Sequence, residues 1–91
     1  MLNENMLKLV YDIVTEDPGI DTPMVCLEIH GRDNTTPAYQ GPLLANWLSE
    51  YHNDIWVETC EHVDGLIETG HIIFDAETGN LYPVGYQGGA E

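Results

Sequence analysis

The sequence predicts an α+β domain of about four helices followed by one C-terminal β-hairpin, and three observations predict it. Apolar residues recur at helical spacing through most of the chain up to Gly70. Pro and Gly divide that periodic region into short segments. Beyond Gly70, two short β-compatible runs, His71 to Phe74 and Leu81 to Val84, bracket a connection that ends in Gly79-Asn80.

Leu2, Met6, Leu9, Val10, Ile13 and Val14 fall on one helical face with Asn3, Glu4, Asp12 and Glu16 between them, which predicts an amphipathic helix over about 4–16. Asp17-Pro18-Gly19 ends it: proline disfavours the α conformation at Asp17, and Gly19 supplies a turn. Thr22 is placed to cap a second short helix, with Pro23 at its first position and Gly31 as its stop. From Gly31 to Gly41 the chain has no periodicity and many turn formers, so 31–41 reads as a loop. Pro42 opens a third helix in which Leu44, Trp47, Leu48 and Tyr51 share a face, and His52-Asn53 breaks it. Asn53 is the expected cap of a fourth helix that ends by Gly70, with Asp54 and Glu58 in its first turn. Residues 1–84 are expected to form one domain, with 85–91 a flexible, Gly-rich tail.

Over residues 42–84, Leu44-Ala45, Trp47-Leu48, the break at Tyr51 to Asn53, Ile55, Val63 and Gly65-Leu66-Ile67-Glu68-Thr69-Gly70-His71-Ile72 are followed by the hairpin. In this order the segment resembles a winged helix-turn-helix. Ala45 fits the small residue that lets the two helices approach, whereas Ser49 stands where glycine is frequent. The resemblance implies a mainly helical winged-helix fold whose hairpin is the wing. It also implies that the fourth helix is the one that would enter a DNA major groove.

The exposed face of that helix contradicts DNA reading. At about 100° per residue, Trp56, Cys60, Val63, Leu66 and Ile67 fall on one side, and Asp54, Glu58, Glu61, Asp64 and Glu68 on the other. The outward stripe is five carboxylates without a cation. Phosphates would repel it. The whole chain repeats the theme: 16 Asp and Glu face only Lys8 and Arg32, a formal charge of -14. Two cations cannot replace the counterions that a duplex holds, and anionic membrane surfaces are disfavoured by the same sign. No apolar run approaches the roughly 20 residues that span a bilayer, and residues 1–8 lack the pattern of a secretory signal. A cytoplasmic location is therefore expected.

The first reading of function is a non-catalytic, acidic protein-interaction or regulatory module. It would dock Asp54, Glu58, Glu61, Asp64 and Glu68 on a basic protein surface, and one form of it is a nucleic-acid mimic that inhibits a DNA- or RNA-binding protein. The alternative is a winged-helix transcriptional regulator, from a halophile or its virus, that binds DNA through the wing, through Arg32 in the long loop, or as a dimer. A third account makes the stripe a merely solvated helix face. The Leu- and Val-rich first helix could serve either the core or a homodimer interface.

Other chemistry has weaker support. Glu58 and His62, four apart, could reach one metal from the same helix edge, but no third ligand accompanies them, and no metal or other cofactor is expected. Cys26 and Cys60 sit in apolar helical patterns and read as free buried thiols. No nucleophile or phosphate-loop motif is present, so no enzymatic activity is expected. Trp47, Tyr51 and Trp56 read as core around the helix junction, while Tyr39, Tyr82 and Tyr86 in the loop, wing and tail are candidate partner anchors.

Overall fold

The computed structural model describes residues 2–32 and 34–86, and its first element, helix α1, spans Glu4–Glu16. Asn3 caps it: the side-chain Oδ1 accepts the Met6 N–H at 3.1 Å, which satisfies one of the donors a helix start leaves open. Val10 and Val14, one turn apart, are its fully buried residues. The helix stops at Asp17, and Gly19 turns the chain with a φ of 96°, a conformation in which a Cβ would be strained.

Helix α2 spans Thr22–His30. Its cap is Asp21, not Thr22 as the sequence suggested: the Asp21 carboxylate accepts the Met24 N–H at 3.1 Å, and Thr22 and Pro23 occupy the first two helical positions. Both residues can cap, but a carboxylate gains more at the positive end of the helix dipole. Gly31, with a φ of 83°, ends the helix.

Helices α3, Gly41–Tyr51, and α4, Asn53–Glu68, are separated by His52 alone. Asn53 was expected to cap α4, yet its Nδ2 donates backwards to the Ser49 carbonyl at 3.3 Å, and α4 has no side-chain cap. The junction is too short for Asn53 to lie outside the helix, so it serves the open carbonyls of α3 instead. Tyr51 also departs from its expected core position, being 64% exposed. The buried seam of α3 ends at Leu48, and the chain turns one residue after Tyr51, whose ring lies at the surface 6.1 Å from that of Trp47. Trp47 and Trp56 are half-buried against the core.

Strands β1, Ile72–Phe74, and β2, Leu81–Pro83, pair antiparallel with Ile73 opposite Tyr82. The connection between α1 and α2 joins this hairpin. Gly19 N–H donates to the Leu81 carbonyl at 2.7 Å, Leu81 N–H donates to the Ile20 carbonyl at 2.8 Å, and Asp21 bridges Asn80. This third, strand-like neighbour has no periodicity in the sequence to announce it, and it ties the hairpin to the helical body.

Two apolar clusters share the interior. One joins Val10 and Val14 to Ile20, Val25, Val63, Leu66, Ile72 and Leu81; the other joins Cys26 and Leu27 to Leu44 and Leu48. Helix α4 packs against α1, α2, α3 and β1, so it touches each of the other helices and the first strand of the hairpin. The result is a four-helix body with a C-terminal hairpin, an α+β arrangement compatible with a winged-helix shape.

Candidate functional site: an acidic face on helix α4

All five predicted carboxylate residues, Asp54, Glu58, Glu61, Asp64 and Glu68, are exposed on α4. They are brought to one face because the opposite face is taken up by the core: Thr59, His62, Val63 and Leu66 are buried, and Trp56, Cys60 and Ile67 half-buried. Asp54 stands in the first turn, where the helix dipole favours it, but Glu68 ends the last turn, where the dipole opposes a carboxylate. The stripe is not arranged to stabilise its own helix.

Two apolar features accompany the carboxylates. Val57, on the same arc, is 43% exposed. Leu2 lies over Gly65, its Cδ1 3.1 Å from where a Cβ on that glycine would sit, and together with Glu61, Asp64 and Glu68 they line a shallow cavity. The sequence assigned Leu2 to the apolar face of the first helix; its place on the acidic face depends on α1 crossing α4 and leaves no local signal.

Asp64 also lines a pocket of about 290 Å³ on the hairpin side of α4. Pro23, Pro42, Trp56, Val63 and Phe74 give it apolar walls, the Cys60 thiol lies among them, and Asp21 supplies a second carboxylate. Burial, then the charge of Asp64, then the nearby Cys26 push the Cys60 thiol up to about 11. Cys26 is raised as well, by burial against a smaller opposing effect of its hydrogen bond with Thr59. Both cysteines are free thiols, Cys26 buried and Cys60 half-buried.

His62 and Glu58 do not converge. His62 is fully buried, with Nδ1 2.7 Å from the Glu58 carbonyl and Nε2 2.9 Å from the Asn3 N–H. The carbonyl can only accept and the N–H can only donate, so the His62 ring donates from Nδ1 and accepts at Nε2. Both nitrogens are committed to backbone groups, and neither has a lone pair left for a metal. Among the described residues, no three His, Cys, Asp or Glu side chains come together as a ligand set.

Of the three proposed tyrosine anchors, Tyr82 and Tyr86 come together and Tyr39 lies elsewhere. Tyr39 is exposed beside Leu43, Trp47 and Tyr51. Tyr82 packs against Gly19 and stacks on Tyr86, ring centroids 5.3 Å apart. Residues 87–91, most of the expected flexible tail, lie outside the described residues, as does Asp33 of the long loop. Lys8 lies on α1, 3.3 Å from Asp12, and Arg32 lies just beyond α2 with its guanidinium beside the Met24 sulfur. Neither cation belongs to α4.

Comparison of the chain with protein-family models, curated proteins and solved structures gives no match. No helix among the described residues is long and apolar enough to cross a membrane.

Proposed function

We propose that this chain is a non-catalytic interaction module on a winged-helix scaffold, and that α4 docks on a basic protein surface through Asp54, Glu58, Glu61, Asp64 and Glu68. The observation that carries the reading is the exposure of all five side chains on the helix that leads into the hairpin. In a DNA reader of this architecture that helix presents cations and hydrogen-bond donors to phosphates and bases. Here the same face presents a row of carboxylates with the sign of the nucleic-acid backbone, so a protein that ordinarily grips phosphates is the class of partner it suits. In this form the module is an inhibitor that imitates nucleic acid.

The wing does not rescue a DNA-binding reading, because the connection Asp75 to Asn80 adds Asp75 and Glu77 and no cation. Two measurements test the proposal. Binding to immobilised basic proteins, beginning with nucleic-acid-binding proteins of the same source, should be strong at low salt and released at high salt. It should be lost when the five carboxylates are replaced by Asn and Gln. A gel shift with random duplex at low salt should show no complex; a retarded band abolished by Arg32→Ala would favour the DNA-binding alternative.

A further inference from the structure

We infer that the pocket bounded by α2, α3, α4 and the hairpin receives a bulky apolar side chain of the partner, flanked in the partner's sequence by Arg or Lys. This inference rests on the docking function proposed for α4 and names what makes that docking specific. Rows of surface charges steer association but contribute little affinity each, whereas a desolvated apolar anchor near the centre of an interface contributes most. On the stripe itself Val57 and Leu2 offer only exposed surface and a shallow cavity, whereas the pocket at its edge has walls that can desolvate an inserted side chain.

The geometry supports this occupant. A volume of about 290 Å³ lies at the lower end of ligand pockets, a size suited to one large side chain and not to a cofactor. Its walls are two prolines, two aromatic rings and a valine, and Phe74 remains 47% exposed at its mouth. Asp64 belongs both to this pocket and to the cavity lined by Glu61, Gly65 and Glu68, so the apolar and acidic surfaces are continuous. From Asp64 back to Asp54 is ten residues of helix, roughly 15 Å, which an extended segment covers in about five residues. Cations within five positions of the anchor can therefore reach the carboxylates.

Charge excludes the competing occupants. Nucleic acid has the wrong sign. A second copy of this chain brings a further charge of -14 and only Lys8 and Arg32 to offset it. Residues 87–91 contain neither a bulky apolar side chain nor a cation. What remains is a basic segment of another protein.

The test uses the full chain and three synthetic, end-blocked heptapeptides. One has a central phenylalanine between three arginines on each side, one has alanine at the centre, and one has phenylalanine between glutamines. Calorimetry at low salt should give at least tenfold tighter binding for the phenylalanine–arginine peptide than for either control. F74A, which alters an exposed pocket wall, should bring the phenylalanine and alanine peptides to within about threefold of each other. Substituting Glu58, Glu61 and Glu68 by Gln should weaken both arginine peptides equally. As a second readout on the unaltered protein, the phenylalanine–arginine peptide should slow alkylation of Cys60, which lines the pocket. Equal binding of the two arginine peptides, with salt sensitivity, overturns the pocket assignment and leaves the acidic docking function standing. Absence of binding by any of the three overturns both.

Discussion

His62 shows how much one side chain holds in place. Its ring accepts the N–H of Asn3, the residue that caps α1, and donates to a carbonyl of α4, so the start of one helix is pinned to the middle of another. Replacing it by alanine leaves a cavity and the Asn3 N–H without its partner, while the Glu58 carbonyl keeps its bond within α4. His62→Ala is expected to lower stability by about 2–4 kcal/mol in urea denaturation. A loss below about 1 kcal/mol would show that water takes over the bond to Asn3. Cys60 offers a second test at this scale. With its ionisation raised to about 11 from a usual 9.0, its thiolate in the folded protein at pH 8 should be about a hundredfold scarcer than in the unfolded chain, and alkylation slower to match. The linkage has a definite sign: a raised thiol contributes stability that is complete below pH 9 and is lost as pH rises through about 11. Denaturation midpoints should fall across that window, and less steeply in Cys60→Ala.

Among the elements, α4 is where two further substitutions are informative. Its carboxylate face was legible because one residue in every turn must face away from a core as crowded as Val63 and Leu66 make it. Glu68→Gln removes a charge from the unfavourable end of the helix and should raise stability by about 0.3–1 kcal/mol in chemical denaturation. Gly65→Ala should also stabilise, by about 0.5–1 kcal/mol. The new Cβ presses at 3.1 Å on the tip of Leu2, which is 49% exposed and can move aside, and meets Leu7 Cδ2 at an ordinary 3.7 Å. A destabilised G65A would mean that Leu2 is fixed where it lies. Most helix boundaries were readable because Pro and Gly punctuate them, and the junction of α3 with α4 from the break in periodicity at His52-Asn53. The pairing of Gly19 to Asp21 with the hairpin was not, because so short a stretch has no period. Asp21 and Asn53 changed roles for a related reason: either neighbour could cap, and only the geometry of the junction decides.

At the scale of the whole molecule, charge dominates the expected behaviour. Carboxylates numbering 16 against two cations repel one another in any compact state, and salt screens that repulsion. The melting temperature should therefore rise by several degrees between about 0.05 and 1 M NaCl; a flat or falling curve would show that the repulsion is already offset. Net charge was legible from composition alone, and the acidic face from helical spacing. The pocket was not, since its walls come from the starts of α2 and α3, the middle of α4 and the hairpin, segments that only the tertiary fold brings together.

Helix α4 is the element against which α1, α2, α3 and β1 all rest, and it is also the one that presents the carboxylates. A surface mounted on such a spine has little freedom to reshape itself. Its amides should exchange with deuterium only when the entire domain opens, at the slow limit for the molecule. A partner that recognises α4 therefore meets it already in its final form, with almost no ordering cost to offset.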